Sequence, residues 1–307
     1  MSTRPDSRSS TLLALFAGAG LAACSIGGAA DSALTIESVS TRPYLVTGGD
    51  VLLRIEVGEG VDASGLEVLA NGEDVSARFR AADDGSLVGL IDGLREGSNE
   101  IEARVPDEPS ARLAITNYPI SGPIISGPHQ EPFLCETEDF ELETGETLGA
   151  PLDANCSVAT RVDYVYLSAT DGDFKAYPPS NGGSSPADEV ATATTLDGTT
   201  VPFVVRVQTG TVNRAIYQSA MLHDPASPAP DPWTRSPGWN GKLVYTHGGG
   251  CRSGWYRQGG SAGEVLNAGL LGMGFAVTSS SLNVFGNNCN DLLASETHIM
   301  VKERFVE

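Results

Sequence analysis

The stretch "WNGKLVYTHGGGC", Trp239–Cys251, decides how the second half of this chain is read. A short apolar run, Leu243 to Tyr245, stops abruptly at His247 and three glycines. A continuous apolar run of this length is consistent with a strand buried in a sheet. Glycine lets backbone N–H groups come close to another group and permits positive φ. The loop is therefore either a tight turn or a place where Gly248, Gly249 and Gly250 offer N–H donors to an anion.

Working outward, "RVDYVYL" (161–167) reads as a strand. "TVPFVVRVQTGTVNRAIYQSAML" (200–222) reads as a hairpin turning around "TGT" (209–211). After the glycines, "SAGEVLNAGLLGMG" (261–274) places Val265, Leu266, Gly269, Leu270 and Met273 at helical spacing. "FAVTSSSL" (275–282) is a further strand, and "DLLASETHIMVKERFVE" (291–307) a further helix. The order β, β-hairpin, β, α, β, α predicts an α/β domain with a mainly parallel sheet over 161–307.

The first half has a different rhythm. "LLRIEV" (52–57) alternates Leu53, Ile55 and Val57 with Arg54 and Glu56, and Asn71-Gly72 sits between two alternating runs, a strong hairpin signal. About seven short strands separated by Gly, Asp, Ser and Pro predict an immunoglobulin-type β-sandwich over 34–118. "NYPISGPIISGPHQEPFLC" (117–135) opens a Pro/Gly-rich linker, 119–160, held extended by its prolines.

The 307 residues suffice for two domains, and 40% hydrophobic content suffices for sizeable cores. Acidic residues number 39 against 19 basic, a formal charge of -20, which argues against a nucleic-acid partner. Arg4 and Arg8 precede "TLLALFAGAGLAAC" (11–24), which is short for a membrane span and ends in small residues, as a secretory signal does. "LAAC" resembles the bacterial lipobox. The resemblance implies that residues 1–23 are removed, that Cys24 is lipidated, and that 24–33 tether an exported protein to a membrane, with Ser25 permitting passage to the outer one. The four remaining cysteines allow three pairings. The pairing local in sequence, Cys135–Cys156 with Cys251–Cys289, is preferred, each bridge being worth about 3 kcal/mol. A zinc site using Cys251, Cys289 and a histidine lacks the usual ligand spacing, so no metal and no cofactor are expected.

The segments now support a resemblance. "WNGKLVYTHGGGCRSGW" resembles the glycine loop of secreted tannases and feruloyl esterases. "ISGPHQEPFLCET", "TVPFVVRVQTGTVNRAIYQ", "SSSLNVFGNNCNDLLASET" and "MVKERF" resemble an uncharacterised bacterial branch of that group. The resemblance implies the N-terminal portion of an α/β-hydrolase fold, a carboxylic-ester substrate, and an oxyanion hole using the HGGG-type loop. Such an enzyme needs a serine on a sharp strand-to-helix turn, followed by an acid and a histidine. "GGSAG" (259–263), with Asp291 and His298, offers that order. The preceding "CRSGWYRQ" is no buried strand, however, and "SAGE" reads as a capping box with Ser261 as N-cap and Glu264 as its partner. Asp291 and His298 fall on one helix, while His129, His223 and His247 read as structural. The expectation is a fragment carrying an oxyanion loop without its nucleophile. The alternative is a cell-surface binding lipoprotein whose sandwich is the functional module. Oligomeric state is not legible.

Overall fold

The computed structural model describes residues 33–82, 84–177, 188–251 and 257–307. Cys24 and its surroundings lie outside the described residues. No described helix is long and apolar enough to cross a membrane.

The first half contributes β1 (Leu34–Ser38), β2 (Val46–Thr47), β3 (Val51–Val57), β4 (Glu67–Ala70), β5 (Glu73–Asp74), β6 (Phe79–Ala81), β7 (Leu87–Ile91), β8 (Gly97–Arg104) and β9 (Ala111–Tyr118). They form two sheets, in the order β1-β3-β7-β6 and β2-β9-β8-β4-β5. Every pairing is antiparallel except β2 with β9. Alternation along β3 turns Val51, Leu53 and Ile55 inward, where they meet Val68, Ile101, Ala103 and Ile115 of the facing sheet in one core. Asn71 (φ 50) and Gly72 (φ 88) make the two-residue turn between β4 and β5. The Asn71 side chain accepts the Glu100 N–H at 3.0 Å, so this turn is also tied to β8.

The second half contributes β10 (Arg161–Leu167), β11 (Phe174–Ala176), β12 (Thr192–Thr194), β13 (Thr200–Pro202), β14 (Val204–Val212), β15 (Ala215–Leu222), β16 (Leu243–Tyr245), α1 (Ala268–Gly272), β17 (Ala276–Ser280) and α2 (Asp291–Val306). Strands β12 and β13 pair as a small hairpin. The main sheet runs β11-β10-β14-β15-β17-β16. Here the expectation of an α/β-hydrolase domain with a mainly parallel sheet is overturned. Only β16 pairs parallel, with β17; every other pairing in this sheet is antiparallel. Of the described residues 37% are strand and 12% helix, with two α-helices among them. The long hairpin β14–β15 takes the centre of the sheet, and β17 returns antiparallel to β15. The crossover through α1 therefore generates one parallel pair at an edge rather than a parallel sheet.

Two local readings also change. The hairpin does not turn at "TGT", which lies inside β14. It turns at Asn213 (φ 53) and Arg214 (φ 61), two left-handed residues as a type I′ turn requires. Arg214 tolerates this conformation while its guanidinium lies 3.9 Å above the Phe133 ring. Ser261 is not a helix cap either. Residues 261–267 are irregular, and α1 starts only after Asn267, whose side chain accepts the Leu270 N–H at 3.0 Å. The helical spacing read from Ser261 onward holds for a single turn and a half because Gly269, Gly272 and Gly274 disfavour continuation.

Alternation along the central strands gives the sheet two different faces. Val205, Val207, Ala220, Leu222 and Val277 pack with Val265 and Leu271 on one side. On the other, Val212 and Tyr217 pack with Met300 and Val301 of α2. Helix α2 buries a polar stripe as well: Glu296, Thr297 and Glu303 are essentially inaccessible, whereas Leu292 is 58% exposed. The reason is its neighbours. Glu296 faces the backbone of the linker, and Glu303 faces the first half, accepting from the Thr47 N–H at 3.0 Å and the Thr47 hydroxyl at 2.5 Å.

Candidate functional site

Strand β16 carries Tyr245 to the edge of the sheet and delivers the chain into the glycine loop. The loop is stitched to residues 283–286. Gly248 N–H donates to the Asn283 carbonyl at 3.1 Å, Phe285 N–H donates to the Gly248 carbonyl at 3.0 Å, and Gly286 N–H donates to the Gly249 carbonyl at 2.9 Å. The Cys251–Cys289 disulfide closes the same pair of loops, and Cys135–Cys156 closes the linker. Cys251 and Cys289 are thus bonded to each other and are not thiolate ligands.

The three glycines answer different needs. A Cβ on Gly248 would lie 2.6 Å from Val284 Cγ1, so that glycine serves close packing, and its N–H is spent on Asn283. Gly250 has φ +103 and a virtual Cβ 3.0 Å from Gly286 Cα. Gly249 meets nothing within 4 Å. The N–H groups of Gly249 and Gly250 have no partner among the described residues, and both residues are exposed. Two donors, not three, remain for an anion. Gly248→Ala should therefore cost about 1–3 kcal/mol through overpacking, and Gly250→Ala a similar amount through backbone strain. Gly249→Ala should stay within about 0.5 kcal/mol of the parent. Urea unfolding of the three variants checks this, and a Gly249 variant that is the least stable would contradict the packing account.

Beside the loop, two histidines 51 residues apart come together. His298 Nδ1 lies 3.3 Å from His247 Nε2. Tyr245 stacks on the His298 ring at a centroid separation of 4.0 Å and 18°. Tyr245 itself is fixed through its hydroxyl, which donates to Asn283 Oδ1 at 2.7 Å, while Asn283 Nδ2 donates to the Ala294 carbonyl of α2 at 2.8 Å. One buried asparagine thereby sets both the stacking ring and the helix that carries His298. Burial first, and the neighbouring His247 second, hold the His298 imidazole below its ordinary value, so it is a neutral acceptor at pH 7. Burial also pushes the Tyr245 phenol up, keeping it a neutral donor. The two histidines, Phe285, Asp291, Ser295 and Ile299 line a cavity of about 450 Å³.

The remaining candidates are dispersed. Ser261 is exposed, and its carbonyl accepts from Asn287 Nδ2 at 2.8 Å; no hydrogen bond joins it to Asp291 or His298. Gly263, the last residue of "GGSAG", approaches β17 so closely that a Cβ would lie 2.6 Å from Ser279 Oγ, which accepts the Gly263 N–H at 2.9 Å. This glycine serves packing, not a nucleophile turn. Asp291 opens α2, capped by Asn290. His129 Nε2 contacts the Ser121 carbonyl at 3.0 Å within the linker. His223 is buried against Ser236 Oγ at 3.1 Å, and Ser236 donates its own proton to the Leu222 carbonyl at 2.6 Å. That is the one serine–histidine side-chain bond among the described residues, and its polarity is wrong for a nucleophile. The His247–His298 pairing has no sequence signal, because nothing local connects a position in the loop after an edge strand with one on a distant helix.

A family model described as a tannase-like family of unknown function matches residues 36–307. The chain belongs to this tannase-like family. The match takes in both halves and the glycine loop together. No curated protein matches the tannase-like chain. Among solved structures, one match is a crystal structure of a protein from Corynebacterium diphtheriae described as membrane anchored. It shares 12% identity over 63% of this chain and 32% of that one, with a TM-score of 0.24. The tannase-like chain thus spans about a third of that protein.

Proposed function

We propose that this tannase-like chain hydrolyses carboxylic esters in the cleft between the glycine loop and α2, with His298 as general base. The observation that carries the reading is the conjunction of two N–H groups, those of Gly249 and Gly250, that have no partner among the described residues, with a histidine held neutral in the adjoining cavity. Membership of a tannase-like family supports the reaction class.

The chemistry runs in two steps. The ester carbonyl oxygen faces the Gly249 and Gly250 N–H groups. Water attacks the carbonyl carbon while the imidazole of His298 takes its proton, and the π electrons move onto the oxygen, where the two N–H groups stabilise the developing charge. Collapse of the tetrahedral intermediate breaks the bond to the alcohol oxygen, which recovers the proton from the imidazolium. The products are the acid and the alcohol, and the histidine returns to its neutral state. His247 lies within reach of the His298 ring and orients it.

The test is the initial rate of nitrophenyl acetate hydrolysis by the full chain and by His298→Gln. Removing the base should lower the rate about 100-fold, with unchanged circular dichroism. The acid limb of the pH–rate profile should fall below the ordinary imidazole value, because His298 is depressed. Buffer-level rates in the parent, or a folded His298→Gln variant with parental turnover, would refute the proposal.

A further inference from the structure

We propose that His247 and His298 hold a zinc ion between their facing nitrogens, and that the bound ion withdraws His298 from catalysis. The site stands on geometry; only its catalytic consequence rests on the ester-hydrolase reading.

Distance is the first argument. His247 Nε2 and His298 Nδ1 lie 3.3 Å apart. Zinc binds imidazole nitrogen at about 2.0–2.1 Å in tetrahedral geometry, which sets two ligand nitrogens about 3.3–3.4 Å apart. A square-planar ion with similar bonds would need about 2.9 Å for adjacent nitrogens or about 4.1 Å for opposite ones. Magnesium and calcium take oxygen ligands instead. The two rings already have the spacing that a tetrahedral, nitrogen-seeking ion requires.

The second argument is how the rings are held. Their centres are 5.5 Å apart and their planes 22° from parallel, so each facing nitrogen lies close to the line joining the centres. Without metal, one of these nitrogens carries a proton and donates it to the other. Zinc replaces that bond. The donor ring moves its proton to its far nitrogen, both facing nitrogens present lone pairs, and no net proton is released. The ion sits to one side of the N–N line, so one ring must turn toward it. His247 is exposed in the loop after β16 and can do so. His298 is kept in place by the Tyr245 ring stacked on it, which is itself fixed by Asn283. One fixed and one adjustable ligand need little reorganisation.

The surroundings suit a cation. Both rings line the cavity of about 450 Å³, which leaves room for water ligands, and no Lys or Arg lines it, whereas Asp291 does. The formal charge of -20 raises the local concentration of cations. Among the described residues no three His, Cys, Asp or Glu side chains form a metal-holding group, and Cys251 and Cys289 are bonded to each other. The chain therefore supplies two ligands and water completes the shell, which makes an open, reversible site rather than a closed structural one. With zinc on Nδ1, the His298 proton stays on Nε2. The ring then has no lone pair with which to take a proton from water, and the base is switched off.

The experiment follows the imidazole C–H signals of the four histidines by NMR while the full chain is titrated with zinc chloride. His247 and His298 should shift together and saturate at one ion per chain, with His129 and His223 unmoved. Magnesium chloride should shift none of them. His247→Gln and His298→Gln should each weaken zinc at least tenfold, and the double variant should be no weaker than either, because one substitution already breaks the chelate. His129→Gln should bind as the parent does. His247 is exposed, so His247→Gln serves if His298→Gln does not fold. Absence of a joint shift, or parental zinc affinity in folded His247→Gln, would overturn the site. Zinc should also inhibit nitrophenyl acetate hydrolysis over the concentration range in which the two signals move. Bound zinc that leaves the rate unchanged or raises it would overturn the catalytic consequence. The titration involves no turnover, so it decides the site even if the hydrolase reading fails, and its failure leaves hydrolysis intact.

Discussion

Glu296→Ala is expected to destabilise the chain by about 3–5 kcal/mol, because each buried N–H left without its acceptor costs about 1–3 kcal/mol. Glu296 is fully buried in the second turn of α2. One carboxylate oxygen accepts the N–H groups of Ile124, Ile125 and Ser126 at 2.8, 2.5 and 2.7 Å, and the other accepts the Ser126 hydroxyl at 2.9 Å. This is how a proline-rich linker with no ladder of its own has its backbone donors satisfied. Alanine would leave three N–H groups without an acceptor, and unmade bonds of this kind cost more than made ones stabilise. The neighbouring Thr297 hydroxyl accepts from Asn213 Nδ2 at 2.9 Å, so the same turn of α2 also holds the β14–β15 turn. Glu296→Gln keeps the shape and one acceptor and should lose less than half as much. Urea unfolding measures both, with limited proteolysis reporting whether cleavage concentrates at 119–130. An alanine variant within about 1 kcal/mol of the parent would show that water replaces the carboxylate without loss.

The second large effect is a pH dependence centred on Glu303. Burial pushes its carboxyl up to about 7, against the opposing influence of its bonds from Thr47. Asp50 acts in the same direction as burial, and Arg304 against it. A raised acid in the folded state means that the folded chain holds a proton the unfolded chain has released. The associated stability is fully present below about 4.5, and it declines as pH rises toward about 7. Over that window the loss amounts to about 3 kcal/mol if no other group compensates. Because Glu303 sits where α2 meets the first half, the expected result is firmer docking of the two halves in mild acid than at neutral pH. Glu303→Gln should flatten this part of the stability profile and match or exceed the parent at pH 8. Thermal unfolding at constant ionic strength from pH 5 to 8 decides it. A Glu303→Gln variant with the same slope as the parent would assign the dependence to other groups.

Both effects depend on polar residues buried by tertiary structure. Read alone, α2 is a helix with Leu292, Leu293, Ile299, Met300, Phe305 and Val306 at helical spacing, and the structure forms a helix from Asp291 to Val306. Periodicity implied an apolar inner face. The structure buries Glu296, Thr297 and Glu303 and leaves Leu292 largely exposed, because two of the surfaces α2 meets are backbone donors rather than side chains.

What the amino-acid order determined by itself is local. Local pattern placed strands at 52–57 and 161–167 and a hairpin over 200–222, although not the position of its turn. Asn71-Gly72 marked its own turn, since the cost of positive φ is a property of the residue. The glycine run marked a close approach of backbone, although not which glycine packs, which is strained and which is open. Tertiary structure alone decided strand direction. A strand reads the same whichever way its neighbour runs, so one hairpin at the centre of the sheet converted an expected parallel domain into a largely antiparallel one. It alone also brought His247 to His298, and Arg206 to Lys302 across one cavity. Those pairs join positions 51 and 96 residues apart, and contact at such separation is set by how sheet and helix pack, which no periodicity along the chain encodes.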